Sequence, residues 1–100
     1  MNPIFITVEK TEAGKFGISA QHPATHYMDG EIKVEVPTRK TWVGHDGQDM
    51  QYGTGIEFDT EPMARQFLRD KIDELKKRIE QDQPLDINSY LIIHHDAVIK

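Results

Sequence analysis

The sequence predicts an α+β domain: an antiparallel sheet of about four to five strands, in the order β-β-β-β-α-β, with one long amphipathic helix packed on one face. Three observations predict it. Residues around 4–8, 16–20 and 31–36 alternate apolar and polar side chains with a period of two. One stretch near 60–81 repeats its apolar residues at spacings of three and four. One hundred residues suffice for one modest core, so 1–100 is read as a single domain.

In chain order, Ile4, Ile6 and Val8 alternate with Phe5, Thr7 and Glu9 as a first strand. A connection at 11–15 with Gly14 leads to Phe16, Ile18 and Ala20, and the two runs read as a hairpin. Residues 21–30 read as a connection holding Pro23 and the Asp29-Gly30 turn pair. The cleanest alternation follows: Ile32, Val34 and Val36 against Glu31, Lys33 and Glu35, a pattern that predicts one face buried and one in water. Pro37 ends it, because proline cannot donate to a sheet ladder. Residues 38–54 are polar and rich in glycine and read as a largely irregular connection with Trp42-Val43 a short strand within it, the alternative being that it folds back as an extra strand pair over the open sheet face. Ile56 and Phe58 mark a fourth strand.

Thr60 is a good helix N-cap, Pro62 falls in the first turn where its missing N–H is harmless, and Glu61 suits the positive end of the dipole. Met63, Phe67, Leu68, Ile72, Leu75 and Ile79 form the apolar stripe, and Asp73–Lys77 and Glu74–Arg78 are spaced as i, i+4 ion pairs. The helix is expected to end near Gln81 to Gln83, before Pro84. Tyr90-Leu91-Ile92-Ile93 reads as an inner strand, with Val98-Ile99 extending it or adding an edge piece. One helix covers only one face of such a sheet; Phe5, Tyr90 or Leu91, and Ile93 are the candidates for the other.

Composition narrows the function classes. With no Cys, neither disulfides, thiolate catalysis nor a thiolate zinc site is available. The segment Met1 to Ile6 lacks a basic n-region and reads as a strand start and not as a signal peptide. No apolar run approaches the roughly 18 residues that span a bilayer. The expectation is a soluble, cytoplasmic protein without membrane contact, in the host cytoplasm if a phage encodes it. The net charge of −5 is uneven: residues 41–59 hold Asp46, Asp49, Glu57 and Asp59 and no Lys or Arg. A surface of that sign repels phosphates and favours a basic partner.

No catalytic or cofactor motif stands out. The histidines, His22, His26, His45, His94 and His95, match no metal-binding spacing, and His94 and His95 in a strand would point to opposite faces. Ser89, His94 and Asp96 contain the residue types of a triad, but five strand residues at about 3.3 Å each hold Ser and His about 16 Å apart. Gly53-Thr54-Gly55 leads into a strand and lacks the helix N-terminus that lets glycine loops bind phosphate. Arg39, Lys40, Trp42 and Tyr52 combine bases with stacking aromatics, yet the acidic stretch that follows argues against direct nucleic-acid binding.

The sequence therefore points to a non-enzymatic protein-binding module. Its expected contact residues are Trp42, His45, Asp46, Asp49, Met50, Tyr52, Glu57 and Asp59, in a connection long for so small a domain. The expected partner is a protein, basic or nucleic-acid-binding, as for a small acidic inhibitor by which a phage or mobile element blocks a host defence factor. No cofactor is expected. Two alternatives stand beside this reading. One is a metal-binding protein or metal-assisted enzyme using His45, His94 or His95 with Asp46 or Asp96; the other is an assembly subunit pairing as a homodimer through its open sheet face or edge.

Overall fold

A computed structural model describes residues 3–50, 53, 55–81 and 90–100 of the chain. The elements are β1 (Ile4–Lys10), β2 (Phe16–His22), β3 (Thr25–Asp29), β4 (Ile32–Val36), β5 (Arg39–Val43), β6 (Asp49–Met50), β7 (Glu57–Phe58), α1 (Glu61–Glu80), a 3₁₀ turn (Leu91–Ile93) and β8 (Ala97–Ile99). The class is α+β as predicted, a mostly antiparallel sheet carrying one long helix.

The main sheet runs β6-β5-β2-β1-β8, with β7 also paired to β2. β1 and β2 form the expected hairpin, with Ile6 opposite Ala20 and Val8 opposite Ile18. β5 occupies the other edge of β2 at residues 19–22, and β7 takes over that edge at Phe16 and Gly17. β8 lies parallel to β1 and is the one parallel pairing among the described strands. The helix starts at Thr60, whose Oγ1 accepts from the Met63 N–H, and closes at Gln81. It lays Ala64, Leu68 and Leu75 on Ile6, Val8, Ile18, Ala20 and Val43, with Leu91 and Ile92 completing the core. Met63 and Ile79, at the two ends of the expected stripe, stay exposed. Glu74 pairs with Lys71 at 2.7 Å in place of the expected Arg78.

Four expectations change. Tyr90–Ile93 is not a strand: residues 91–93 form a 3₁₀ turn that caps the core beside the helix, because a segment apolar on both sides suits a plug as well as a strand. Leu91 is therefore in the core, whereas Phe5 does lie on the opposite face. Residues 38–50 are largely regular, since β5 is a full five-residue strand and β6 folds back on it through a turn at 44–48. Gly55, at φ +67, lets the chain pass so close to Val43 that a Cβ there would run into the Val43 carbonyl.

The fourth change matters most. β3 and β4 do not join the main sheet; they form a separate two-stranded ribbon. The ribbon is nonetheless continuous in register with β2 and β5. Partner numbers sum to 61 on both sides of the break, as in His22↔Arg39 and Thr25↔Val36. One long hairpin thus runs out of the sheet and is interrupted at Pro23 and Pro37, neither of which can donate to a ladder. Beyond the prolines no third strand and no helix among the described residues covers it.

Candidate partner-binding surface

Alternation along the ribbon places Tyr27, Ile32, Val34 and Val36 on one face, with Tyr27 directly opposite Val34. His26, Met28, Lys33 and Glu35 occupy the other. The sequence predicts that the first face is buried. Instead Tyr27 is 56% and Ile32 67% exposed, and Val34 and Val36 are only half-buried. The tip, Asp29-Gly30-Glu31, is acidic, and Gly30 at φ +62 supplies the positive φ of a two-residue hairpin turn. Lys33 is engaged with Glu35 at 3.2 Å, so Asp29 and Glu31 keep the tip negative.

At the ribbon's base lies a cavity of about 270 Å³ lined by Ile4, His22, Thr25, Val36, Arg39 and Asp96, with Pro23 at its side. Uninterrupted pleating would put Thr25 and Val36 on the opposite face from His22 and Arg39. Their sharing one cavity places that cavity at the proline break, where His22 and Pro23 also line a second cavity with Phe5 and Gln21 of the outer face.

The outer face of the main sheet is less open than one uncovered side suggests. Glu9 accepts from Ser19 Oγ and Lys40 Nζ, each at 2.6 Å, and Ser19 is fully buried beneath them. Burial pushes the Glu9 carboxyl up, but the Lys40 and Ser19 hydrogen bonds and the Lys40 charge together outweigh it, and its pKa falls below the usual value. Lys40 Nζ sits 5.0 Å from the Trp42 ring centre and Lys100 Nζ 4.0 Å from that of Phe5. The aromatic rings are thus already covered by the chain's own cations and their stems.

The expected contact residues do not share one surface. Trp42 and Met50 point to the outer face, opposite each other on β5 and β6. Asp49 points to the helix side, where its carboxylate lies 3.8 Å from His22 Nε2. His45 and Asp46 are exposed in the turn, whose backbone is held by Gln48. Asp59 is exposed and 3.7 Å from Lys15, and Glu57 is half-buried on β7. Tyr52 lies outside the described residues, as does Ser89.

Two clusters combine residue types that carry chemistry. His22 Nε2 lies 2.8 Å from Thr41 Oγ1 as well as near Asp49. A catalytic relay needs the nucleophile and the acid on different ring nitrogens; here both approach the same one, so the row is a buried polar contact. His94, His95 and Asp96 do come together, with ligand atoms within 4.8 Å of one another and the two rings stacked at 4.4 Å. The strand geometry expected to separate the two histidines is absent because they lie in a turn. However, the Asp96 N–H donates to His94 Nδ1, which fixes the ring proton on Nε2 in the neutral form and occupies the other nitrogen. A cation there would have to displace that bond.

Of the residues that make up the ribbon and its base, none belongs to the expected contact set. The available signal was Pro23 and Pro37 bracketing an alternating run with an Asp-Gly turn. No protein-family model, curated protein or solved structure matches this chain. No helix among the described residues is long and apolar enough to cross a membrane.

Proposed function

We propose that this chain is a non-enzymatic protein-binding module whose docking element is the β3–β4 ribbon. The observation that carries it is the ribbon's uncovered apolar face, with Tyr27 and Ile32 more than half exposed. An isolated two-stranded ribbon is marginal in water, and large exposed aromatic and aliphatic side chains are the groups that anchor interfaces. The acidic tip at Asp29 and Glu31 favours a partner with an apolar cleft and a basic rim. A nucleic-acid-handling protein of the host has such a rim, which keeps the acidic-inhibitor reading while moving its contact from residues 41–59 to the ribbon.

Affinity capture from a bacterial lysate, read by mass spectrometry, tests this with three baits: the unaltered chain, Ile32→Asp and Asp46→Lys. The ribbon reading expects a dominant protein captured by the unaltered chain and by Asp46→Lys but lost with Ile32→Asp. Loss with Asp46→Lys and retention by Ile32→Asp would return the contact to the turn after β5.

A further inference from the structure

We infer that the cavity at the base of the ribbon is a binding site for a small zwitterion, an α-amino acid with an apolar side chain. At about 270 Å³ the cavity falls below the roughly 300–1,000 Å³ typical of drug-sized ligands, so its occupant is small. Two full charges line it, Arg39 and Asp96. They are held apart: among the described residues Arg39 has no carboxylate within 4.0 Å, and Asp96 meets the exposed His95 at 3.4 Å. One wall is therefore positive and another negative.

That arrangement selects its ligand. A simple anion would face the Asp96 carboxylate, and a simple cation would face the Arg39 guanidinium. A molecule carrying both charges on one carbon, as an α-amino acid does, satisfies both walls. The guanidinium fork matches a carboxylate, and the Asp96 carboxylate accepts from an ammonium. Ile4 and Val36 offer apolar surface to a side chain, and Thr25 adds a hydroxyl. His22, next to Arg39, is held toward its neutral form, first by burial and then by the Arg39 charge, so it adds no second cation that would favour a simple anion. Thr25 and Val36 belong to the ribbon while Ile4 and Asp96 belong to the body, so the occupant bridges the two. The site shares Val36 with the ribbon's apolar face but not Tyr27 or Ile32, and its ligand is tested without any docking partner.

The test is a titration of the full, ¹⁵N-labelled chain followed by amide chemical shifts, with L-leucine, L-leucinamide and N-acetyl-L-leucine as probes. L-leucine is expected to move amides around 22–25, 36–39 and 94–97 saturably. Each probe lacking one charge should bind roughly tenfold more weakly, the loss of one charge-assisted contact. Arg39→Gln should abolish the preference for leucine over leucinamide and keep that over N-acetyl-leucine, and Asp96→Asn should do the reverse. Absence of saturable shifts up to about 10 mM leucine, equal binding of the three probes, or preferences that survive both substitutions would overturn the inference. The probe series on the unaltered chain decides the matter even if a variant unfolds.

Discussion

β1 carries Ile4, Ile6 and Val8 at every second position, between Phe5, Thr7 and Glu9, and β4 carries Ile32, Val34 and Val36 at the same spacing between charged neighbours. In β1 the alternation ends in burial, with Ile6 at 0% exposure under the helix; in β4 it ends in water, with Ile32 at 67%. The two strands differ in what stands over them. α1 lies across β1 and β2, while beyond the prolines at 23 and 37 β4 pairs only with β3 among the described strands, and the helix does not cover it. An alternating pattern states which face is apolar. Whether that face is covered is a property of the rest of the chain, or of another molecule.

The largest effect expected from this contrast comes from making the same truncation in both regions. Ile6→Ala should cost about 2–5 kcal/mol, as a cavity in a core does, whereas Ile32→Ala should stay within about 0.5 kcal/mol. Urea denaturation of the two variants measures both. A comparable loss at Ile32 would mean that the ribbon's apolar face is covered in solution, and the contrast would fail.

A second pair sharpens it at the level of the backbone. Gly55 and Gly30 both have positive φ, but an added Cβ meets the Val43 carbonyl at 55 and nothing within 4 Å at 30. Gly30→Ala should cost about 1 kcal/mol from conformation alone. Gly55→Ala should cost about 2–3 kcal/mol, since the clash also disturbs the 3.1 Å bond from the Ile56 N–H to that carbonyl. Thermal unfolding of the two variants distinguishes them.

The smallest expected effect sits at the junction. His22 has its pKa lowered in the folded chain, by burial and by Arg39 against an opposing pull from Asp49. The unfolded chain therefore binds the proton more readily, and stability should fall as the pH drops through about 6.5 toward the folded value. Urea midpoints at pH 7.5 and 5.5 should show that loss in the unaltered chain and less of it in His22→Gln. Glu9 does not enter this window, because its lowered carboxyl pKa loses its contribution only at more acid pH. An unchanged slope would mean that the junction is wetter than its geometry implies.

Much of the body was legible in the residues. Thr60, Pro62 and the stripe through Leu68 and Leu75 mark the helix, and Ile6, Val8, Ile18 and Ala20 mark its floor, because local propensity and burial agree there. The 3₁₀ turn at Leu91–Ile93 was not legible, since a short apolar run is consistent with several conformations. The expected contact set from Trp42 to Asp59 dispersed for a similar reason. Neighbours in a strand alternate faces, so Asp49 turned to His22 while Trp42 and Met50 turned outward. Adjacency in sequence separated these residues, and the order of the strands placed others far apart in sequence, such as Arg39 and Asp96, around one cavity.

By itself the sequence determined the class of the fold, the position and polarity of the helix, the absence of cysteine chemistry and the strands β1, β2 and β4, because these follow from side-chain period and type. Only the tertiary structure decided that one hairpin would leave the sheet at two prolines, that its apolar face would stand uncovered, and that Arg39 and Asp96 would meet across one cavity. Those outcomes depend on which surfaces the helix reaches, and that reach is set by the packing of the whole chain.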